Sequence, residues 1–181
     1  MGNKLAFNEI VTGSNHRKTD LGSFEHTYKA EITSIHRLTD LETLYRIQIM
    51  DPAERGRFEF KPGQFLMLEL PGIGEAPFSI SSSPSRKGDV ELCIRKVGSL
   101  TSFLSKVERG THVGIRGPFG TSFPMEKMHG QNILLIAGGL GIAPLRAPIA
   151  HVQIRRVLGA VNNIDIFKMA AVFLHVGNWR A

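Results

Sequence analysis

A glycine-rich segment near residue 140 carries the residue types that most often hold a phosphate group. The segment "GGLGIAP", Gly138 to Pro144, directly follows the apolar stretch "ILLIA". Glycines allow positive φ and close approach to a ligand, and the free amides at the start of a following helix form an anion site. Pro144 suits the first position of that helix. The segment predicts either a nucleotide site or only a tight strand-to-helix connection, because its final proline departs from the usual dinucleotide fingerprint.

A serine-rich segment supplies a second set of polar groups. In "APFSISSSP", Ser79, Ser81 and Ser83 alternate onto one face of a predicted strand, and Phe78 and Ile80 onto the other. The serine face can hydrogen-bond the hydroxyl or carbonyl groups of a ligand, or it can simply face solvent. The residue types leave both interpretations open.

Two cations precede a predicted helix start in a third segment. "IRKVGSLTSFL" places Arg95 and Lys96 at the end of a strand and Ser99 to Thr101 at the beginning of a helix. A serine or threonine at that position normally caps the helix. Cationic side chains beside free amides would also suit a diphosphate. A fourth segment, "GPFGTSFP", is interpreted as a turn whose glycines join two elements.

Short β-like segments must position these candidates. Between His26 and Gly120 they alternate with predicted turns such as "DPAERGR" and "KPGQ", which is the pattern of an antiparallel barrel or sandwich. Six strands are predicted, in "YKAEITSIHRL", "TLYRIQIMD", "QFLMLELP", "PFSISSSP", "DVELCIRKV" and "THVGIRGPFG". One helix is predicted to interrupt them between Gly98 and Gly110, where apolar residues repeat at helical spacing.

The pattern changes near Met128. "GQNILLIAGG" is almost entirely apolar, which favours a parallel strand covered on both faces over a half-exposed barrel strand. A helix is predicted after Pro144, and Pro148 is expected to kink it or delay its start, because proline lacks a backbone donor. The last segment, "NNIDIFKMAAVFLHVGNWRA", is helix or strand, and periodicity does not decide between them.

Composition limits the class of protein. The 181 residues allow one full domain and part of another, and 42% hydrophobic with 21% charged residues is ordinary for a soluble globular chain. The net charge of +6 comes from scattered Lys and Arg, which favours a solvated surface. No strand interleaves basic with stacking aromatic residues, so a Greek-key nucleic-acid module is disfavoured. The seven histidines are dispersed, and no metal site is predicted.

The single cysteine and the apolar content indicate the compartment. Cys93 cannot form an internal disulfide or supply a cysteine-ligated zinc or iron–sulfur site. It alternates with Leu92 and Ile94, so it is predicted to be a core residue. The N-terminal residues lack the apolar core of a signal peptide, and no apolar stretch is long enough to span a membrane. A cytoplasmic protein without membrane contact is expected.

The order of the quoted segments resembles a known superfamily. "FKPGQFLMLELPGIGEAPFSISSSP", "VELCIRKVGSLTSFL", "GPFGTSFP" and "LLIAGGLGIAPLR" together resemble the ferredoxin-NADP reductase superfamily. The resemblance is greatest to the gamma subunits of cytoplasmic hydrogenases and sulfhydrogenases, with their relatives in dihydroorotate dehydrogenase and anaerobic sulfite reductase. It covers about Tyr28 to Arg146.

The resemblance implies a β plus α/β fold. A six-stranded antiparallel Greek-key FAD-binding barrel is expected over 26–128, after an N-terminal extension over 1–25. An incomplete Rossmann-like nucleotide-binding domain is expected over 129–181. Relatives continue after "APLR" through further strands to nucleotide-gripping motifs, and many end in a four-cysteine segment that holds a two-iron two-sulfur cluster. Neither feature matches here, which predicts a truncated NAD(P)-binding domain with an atypical tail and no iron–sulfur cluster.

The resemblance also assigns site residues. Phe78 and Ser79 match the end of the family's Arg-x-Tyr-Ser signature and are expected at the flavin ring and ribityl chain, whereas Ala76 stands where the arginine is usual. The residues assigned to the FAD diphosphate are Arg95, Lys96, Gly98 and Thr101. Those assigned to NAD(P) are Gly138, Gly139, Gly141, Ile142, Ala143 and Pro144. Of these, Ala143 and Pro144 are expected to approach the flavin.

The implied function is electron transfer. The chain is expected to be an FAD-dependent oxidoreductase or electron-transfer subunit that passes hydride or electrons between NAD(P)H, flavin and a partner such as a hydrogenase subunit. Because the predicted NAD(P)-binding domain is incomplete, the nicotinamide nucleotide is expected to bind weakly. No catalytic side chain is assigned, because flavin hydride transfer depends chiefly on geometry. The alternative is a flavin-binding docking module without nucleotide turnover.

Overall fold

The computed structural model describes residues 26–128, 132–151 and 170–175. The predicted N-terminal extension, 1–25, lies outside the described residues. Most of the predicted atypical tail lies outside them as well.

Six strands form one antiparallel sheet that closes on itself. They are β1 (Tyr28–Arg37), β2 (Glu42–Ile49), β3 (Phe65–Leu70), β4 (Gly74–Ser79), β5 (Asp89–Arg95) and β6 (His112–Phe119). Their order in the sheet is β4-β3-β6-β1-β2-β5. Ile80 pairs with Leu92 as an isolated antiparallel bridge, so the end of β4 meets the other edge strand, β5. The predicted six-stranded antiparallel Greek-key barrel is confirmed.

Alternating side chains fill the barrel. Because successive residues of a strand point to opposite faces, every second residue of β3, namely Leu66, Leu68 and Leu70, is buried. The same alternation buries Ile47 and Ile49 on β2. Aliphatic side chains from all six strands or their ends meet in one hydrophobic cluster, to which Phe58 and Phe60 also belong. This cluster is the rigid support for everything on the outer face of the barrel.

Two short helices lie beside the barrel strands. Helix α1 (Pro52–Arg57) begins at Asp51, whose side chain accepts a hydrogen bond from the backbone N–H of Glu54 at 2.8 Å. The prediction of a turn over "DPAERGR" is wrong, because Pro52–Arg57 form a helix. Helix α2 (Ser99–Leu104) lies within the range predicted for the single helix. Its C-terminal Leu104 is buried in the barrel core.

A second unit follows the barrel. Strand β7 (Asn132–Ala137) pairs with β8 (Ala170–His175), and helix α3 (Ile142–His151) follows a 3-10 turn, Gly139–Gly141. The β7–β8 pairing is antiparallel, and Ile136 is 62% exposed. The prediction of a parallel strand covered on both faces is therefore wrong, because an apolar stretch indicates burial but not the direction of its partner.

The two prolines of α3 lie inside the helix rather than at its start. Pro144 is its third residue, where the backbone needs no intrahelical donor, so no hydrogen bond is lost. Pro148 lies farther along and removes one helical hydrogen bond. The expectation that Pro144 occupies the first helical position is wrong by two residues. Among the helices that the structure describes, none is both long enough and apolar enough to cross a membrane.

A buried tyrosine ties α2 to the barrel. The Tyr45 hydroxyl, on β2, donates to the backbone carbonyl of Leu104 at 3.0 Å. We expect Tyr45→Phe to lower the free energy of unfolding by about 1 kcal/mol, since one buried hydrogen bond is lost while the Leu104 carbonyl keeps the backbone N–H of Val107 at 3.4 Å. Urea denaturation measures this. Tyr28→Phe is the matched control, because it makes the same change at a tyrosine whose ring packs against Phe58. An equal loss of stability in both variants would contradict the role of the Tyr45 hydrogen bond.

Candidate functional site

The serine-rich segment continues β4 toward the point where the barrel closes. Phe78 is half-buried, packs against the core cluster and lies opposite Leu66. Ser79 is half-buried on the opposite face of the strand. Ser81 is 1% exposed, so the solvent-facing interpretation of the serine face fails at this residue. No group in the described part of the chain pairs with Ser81 Oγ, which leaves a buried hydroxyl available to a polar ligand atom.

Arg95 is already committed to a carboxylate. Its Nε donates to Oε1 of Glu42, the residue directly across β2 and β5, and Glu42 is 3% exposed. Thr39 Oγ1 donates to the other oxygen of the same carboxylate. These bonds hold the pKa of Glu42 below its ordinary value, with the Thr39 hydroxyl as the largest cause. Arg95 therefore anchors the strand end, and the neighbouring Lys96 is exposed.

Thr101 caps helix α2. Its hydroxyl accepts the backbone N–H groups of Val97 and Gly98, each at 2.9 Å, and lies 3.1 Å from the carbonyl oxygen of Gly98, to which it donates. The capping interpretation is confirmed, and the hydroxyl is fully engaged in it. A Cβ placed on Gly98 would meet nothing within 4 Å, so the helix start opens to free space. The groups left to face an anion are the first-turn amides, which have no intrahelical acceptor.

Strand β4 and helix α2 contact each other across the barrel edge. Phe78 lies on β4 and Lys96 shortly precedes α2, so this contact brings the two chain segments next to each other. The sequence assigned these residues to one ligand from two segments about 20 residues apart, and the tertiary structure places the two elements together.

The glycine-rich turn lies against the outer face of β2 and β5. Gly139 has φ of +52°, and the backbone N–H of Gly141 donates to the carbonyl of Gly138 at 3.0 Å. A cavity of about 270 Å³ separates this turn from the sheet, lined by Leu38, Leu44, Cys93, Gly139, Leu140, Ile142 and Arg146. Ala143 is 3% exposed, whereas Pro144 is half-buried.

Cys93 borders this cavity and is buried, as predicted. Burial raises the pKa of the Cys93 thiol, and the nearby Arg146 guanidinium partly opposes that rise. A thiol of raised pKa is a poor nucleophile at neutral pH, so Cys93 acts in packing here.

Sequence reasoning missed a cluster of charges beside the cavity. Glu91, on β5 and 7% exposed, accepts hydrogen bonds from Arg46, Arg86 and Arg146. Burial pushes the pKa of Glu91 up, but the bond from Arg46 and the charges of the three arginines bring it below its ordinary value. Arg46 and Arg146 lie 45 and 55 residues from Glu91 in the sequence, so no motif signalled the cluster.

The segment "GPFGTSFP" borders a larger hollow than the turn interpretation implied. A cavity of about 1000 Å³ is lined by Gln64, Lys87, Gly120, Thr121 and other residues of the barrel end. The Gln64 side-chain amide donates to the carbonyl of Gly120 at 3.2 Å and holds the rim. The segment was assigned no ligand from the sequence.

The residues present at β4 and α2 fit a flavin dinucleotide. Phe78 supplies a half-buried aromatic surface, Ser81 Oγ an unpaired buried polar atom, and Lys96 with the α2 amides a cationic cradle for phosphate. Within the described residues, no cluster of three or more His, Cys, Asp or Glu side chains could hold a metal ion. The aromatic, hydroxyl and cationic groups named above are those that an organic, phosphate-bearing group would need.

Two curated electron-transfer or hydrogenase subunits are similar to this chain in sequence. Sulfhydrogenase 2 subunit gamma of Pyrococcus furiosus is 47% identical over 121 residues, which are 67% of this chain and 42% of that protein. The probable dihydroorotate dehydrogenase B (NAD(+)), electron transfer subunit of Methanocaldococcus jannaschii is 38% identical over 108 residues, which are 57% of this chain and 38% of that protein. The chain thus spans less than half the length of these relatives.

A solved structure shows the same fold. Phthalate dioxygenase reductase superposes with a TM-score of 0.58 at 17% identity, over 70% of this chain and 40% of that chain. The family model described as oxidoreductase FAD-binding domain matches residues 29–123, which are more than half of the chain and contain both β4 and the α2 start. This chain belongs to the oxidoreductase FAD-binding domain family.

Proposed function

We propose that this chain is an FAD-dependent electron-transfer module that passes hydride or electrons between NAD(P)H, flavin and a partner redox subunit. The observation that carries the proposal is the family match over 29–123, which contains β4 with Phe78 and the α2 start, two elements that contact each other. When bound, FAD supplies the chemistry, since flavins accept hydride and release electrons.

The protein residues hold and orient that group. Phe78 and Ser79 would face the flavin ring and ribityl region, and Lys96 with the amides from Gly98 onward would hold the diphosphate. Thr101 shapes this cradle through its cap rather than as a ligand. Arg95, bound to Glu42, positions Lys96 at the end of β5. The position of Ser79, beside the buried Ser81, supports its role as a polar neighbour of the ring.

The nucleotide assignment rests on the glycine-rich turn. We infer that Gly138, Gly139 and Gly141 would let a nicotinamide nucleotide approach the backbone, with Ile142, Ala143 and Pro144 behind it. The names of the relatives support this inference, since one is an NAD(+)-type electron transfer subunit. They also support a partner redox subunit, because both curated relatives are subunits of larger enzymes. A flavin-binding docking module that does not turn over nucleotide is the second candidate.

Flavin uptake tests the proposal directly. The purified chain should take up added FAD, with a flavin visible spectrum after gel filtration. Lys96→Gln should weaken FAD binding about fivefold to tenfold, because it removes one charge-assisted phosphate contact. Lys106→Gln is the matched control, since Lys106 lies beyond the other end of α2 with its Nζ 5.9 Å from the Phe103 ring centroid.

The outcomes separate the candidates. A chain that stays colourless with excess FAD contradicts the proposal. Flavin that bleaches on anaerobic titration with NADH or NADPH supports nucleotide oxidation. Flavin that binds without bleaching supports the docking module. Equal FAD affinity in the two lysine variants contradicts the assignment of Lys96.

A further inference from the structure

A single buried carboxylate joins the barrel to the glycine-rich turn. Glu91 Oε1 accepts hydrogen bonds from Arg46 Nη2 at 2.8 Å and from Arg86 Nη1 at 3.3 Å, and both arginines belong to the barrel. Glu91 Oε2 lies 3.4 Å from Nη2 of Arg146, which belongs to α3. The two oxygens of Glu91 therefore face different parts of the molecule.

The ion pair lies beside the turn that it would hold. Arg146 is four residues after Ile142, so one helical turn separates it from the start of α3. Cys93 is two residues after Glu91 on β5, and successive odd positions of a strand share a face. Both Cys93 and Arg146 line the cavity beneath the glycine-rich turn. Because a space of about 270 Å³ lies between the turn and the sheet, the two share little direct apolar contact there.

We propose that the Arg146–Glu91 ion pair is a latch that holds the glycine-rich turn against β5, which makes both residues positioning residues for the nucleotide segment. The importance of the turn rests on the proposed function, but the latch itself does not. Arg146 is 41% exposed, so its replacement should lower the free energy of unfolding only modestly. Arg46 and Arg86 would still neutralise Glu91, so the barrel should stay folded while the turn opens.

The chain carries its own reporter for this opening. Cys93 is the only cysteine among the 181 residues, and it is 8% exposed beneath the turn. A thiol reagent such as dithiobisnitrobenzoate reacts only when the turn lifts, so under native conditions the labelling rate follows the population of the open form. The signal does not require bound flavin.

The decisive comparison is Arg146→Gln with Arg86→Gln. Both variants remove one charge from the same carboxylate, and the two arginines are similarly exposed, at 41% and 47%. Only Arg146 belongs to α3. Labelling of Cys93 should be about threefold to tenfold faster in Arg146→Gln than in wild type and nearly unchanged in Arg86→Gln. Arg146→Lys should restore part of the protection.

A change in the ionisation of the Cys93 thiol cannot explain faster labelling in Arg146→Gln. The Arg146 charge favours the Cys93 thiolate, so its removal alone would slow labelling rather than speed it. Equal labelling rates in the two glutamine variants overturn the latch. Loss of cooperative thermal unfolding in Arg146→Gln overturns it as well, because the barrel should remain intact.

A flavin-loaded assay separates the latch from the proposed function. If FAD binds, Arg146→Gln should raise the KM for the nicotinamide nucleotide by a larger factor than it lowers kcat, with FAD affinity unchanged. If no FAD binds, the proposed function fails while the labelling result still decides the latch. An unchanged KM together with faster labelling would show that the turn moves without serving nucleotide, and would overturn the positioning role.

Discussion

Leu68→Ala should lower the free energy of unfolding by about 3 kcal/mol. Leu68 is fully buried on β3, near the middle of the barrel, and belongs to the single core cluster. Truncation removes the transfer free energy of three carbons and leaves a cavity that the neighbouring strands, held by hydrogen bonds on both sides, cannot collapse into. Urea denaturation followed by far-UV circular dichroism measures the loss.

Ile73→Ala is the control for this core prediction. Ile73 lies in the turn between β3 and β4 and is 42% exposed, so the same kind of truncation should cost well under 1 kcal/mol. If the two variants lose similar stability, the cluster is not the main source of barrel stability. In the Leu68 variant we also expect weaker FAD binding near its unfolding midpoint, since the ligand binds only the folded barrel.

Glu42→Gln should lower the free energy of unfolding at neutral pH by about 2 kcal/mol. Glu42 is buried at the start of β2 and accepts hydrogen bonds from Arg95 and from the Thr39 hydroxyl. Removing one partner of a buried ion pair is costly, but Arg95 is 41% exposed and can be rehydrated, which reduces the loss. Urea denaturation at pH 7 measures it.

The acid dependence gives a second readout for Glu42. The pKa of this carboxyl is lowered in the folded state by the Thr39 hydroxyl and by Arg95, against the opposing effect of burial. The unfolded state therefore binds the proton more tightly, so the stabilisation is complete at neutral pH and is lost as pH falls below about 4.5. Wild type should lose more stability than Glu42→Gln between pH 6 and about pH 3.

Glu75→Gln provides the matched carboxylate. Glu75 is 40% exposed on β4 and forms a surface ion pair with Arg116, so its replacement should change stability by less than about 1 kcal/mol. A pH profile in which Glu42→Gln runs parallel to wild type would contradict the assignment of the acid dependence to Glu42.

The barrel strands could be predicted because the pattern that marks them lies within a few residues. Alternating apolar residues between turn residues indicate a strand with one buried face, and each of the six predicted segments overlaps an observed strand. The overlap is smallest at β4, which begins at Gly74, before the predicted segment that starts at Pro77. Helix α1 was missed because it is only six residues long and contains Gly56, although the Asp51 and Pro52 start signal was present. Short helices depend on packing as much as on their own residues.

The candidate site could be predicted as a set of residues but not as an arrangement. Phe78, Lys96 and the α2 start were assigned from separate segments, and only the closure of the barrel brings β4 into contact with α2. Arg95 was assigned to a diphosphate, which stays a prediction, and the register of β2 with β5 shows that its Nε binds Glu42. A sequence shows that a cation is present, and only the fold shows which anion it meets.

The sequence by itself determined the strand periodicity and the buried Cys93, because each depends on neighbours a few residues apart. It also determined the order of segments that marks the FAD-binding family, because that order is read directly along the chain. Only the tertiary structure decided the antiparallel pairing of β7 with β8 and the convergence of three arginines on Glu91. Apart from the contact of Arg86, which is five residues from Glu91, these contacts join residues distant in the chain. Their geometry depends on how the barrel closes, and no local pattern of residue types encodes that closure.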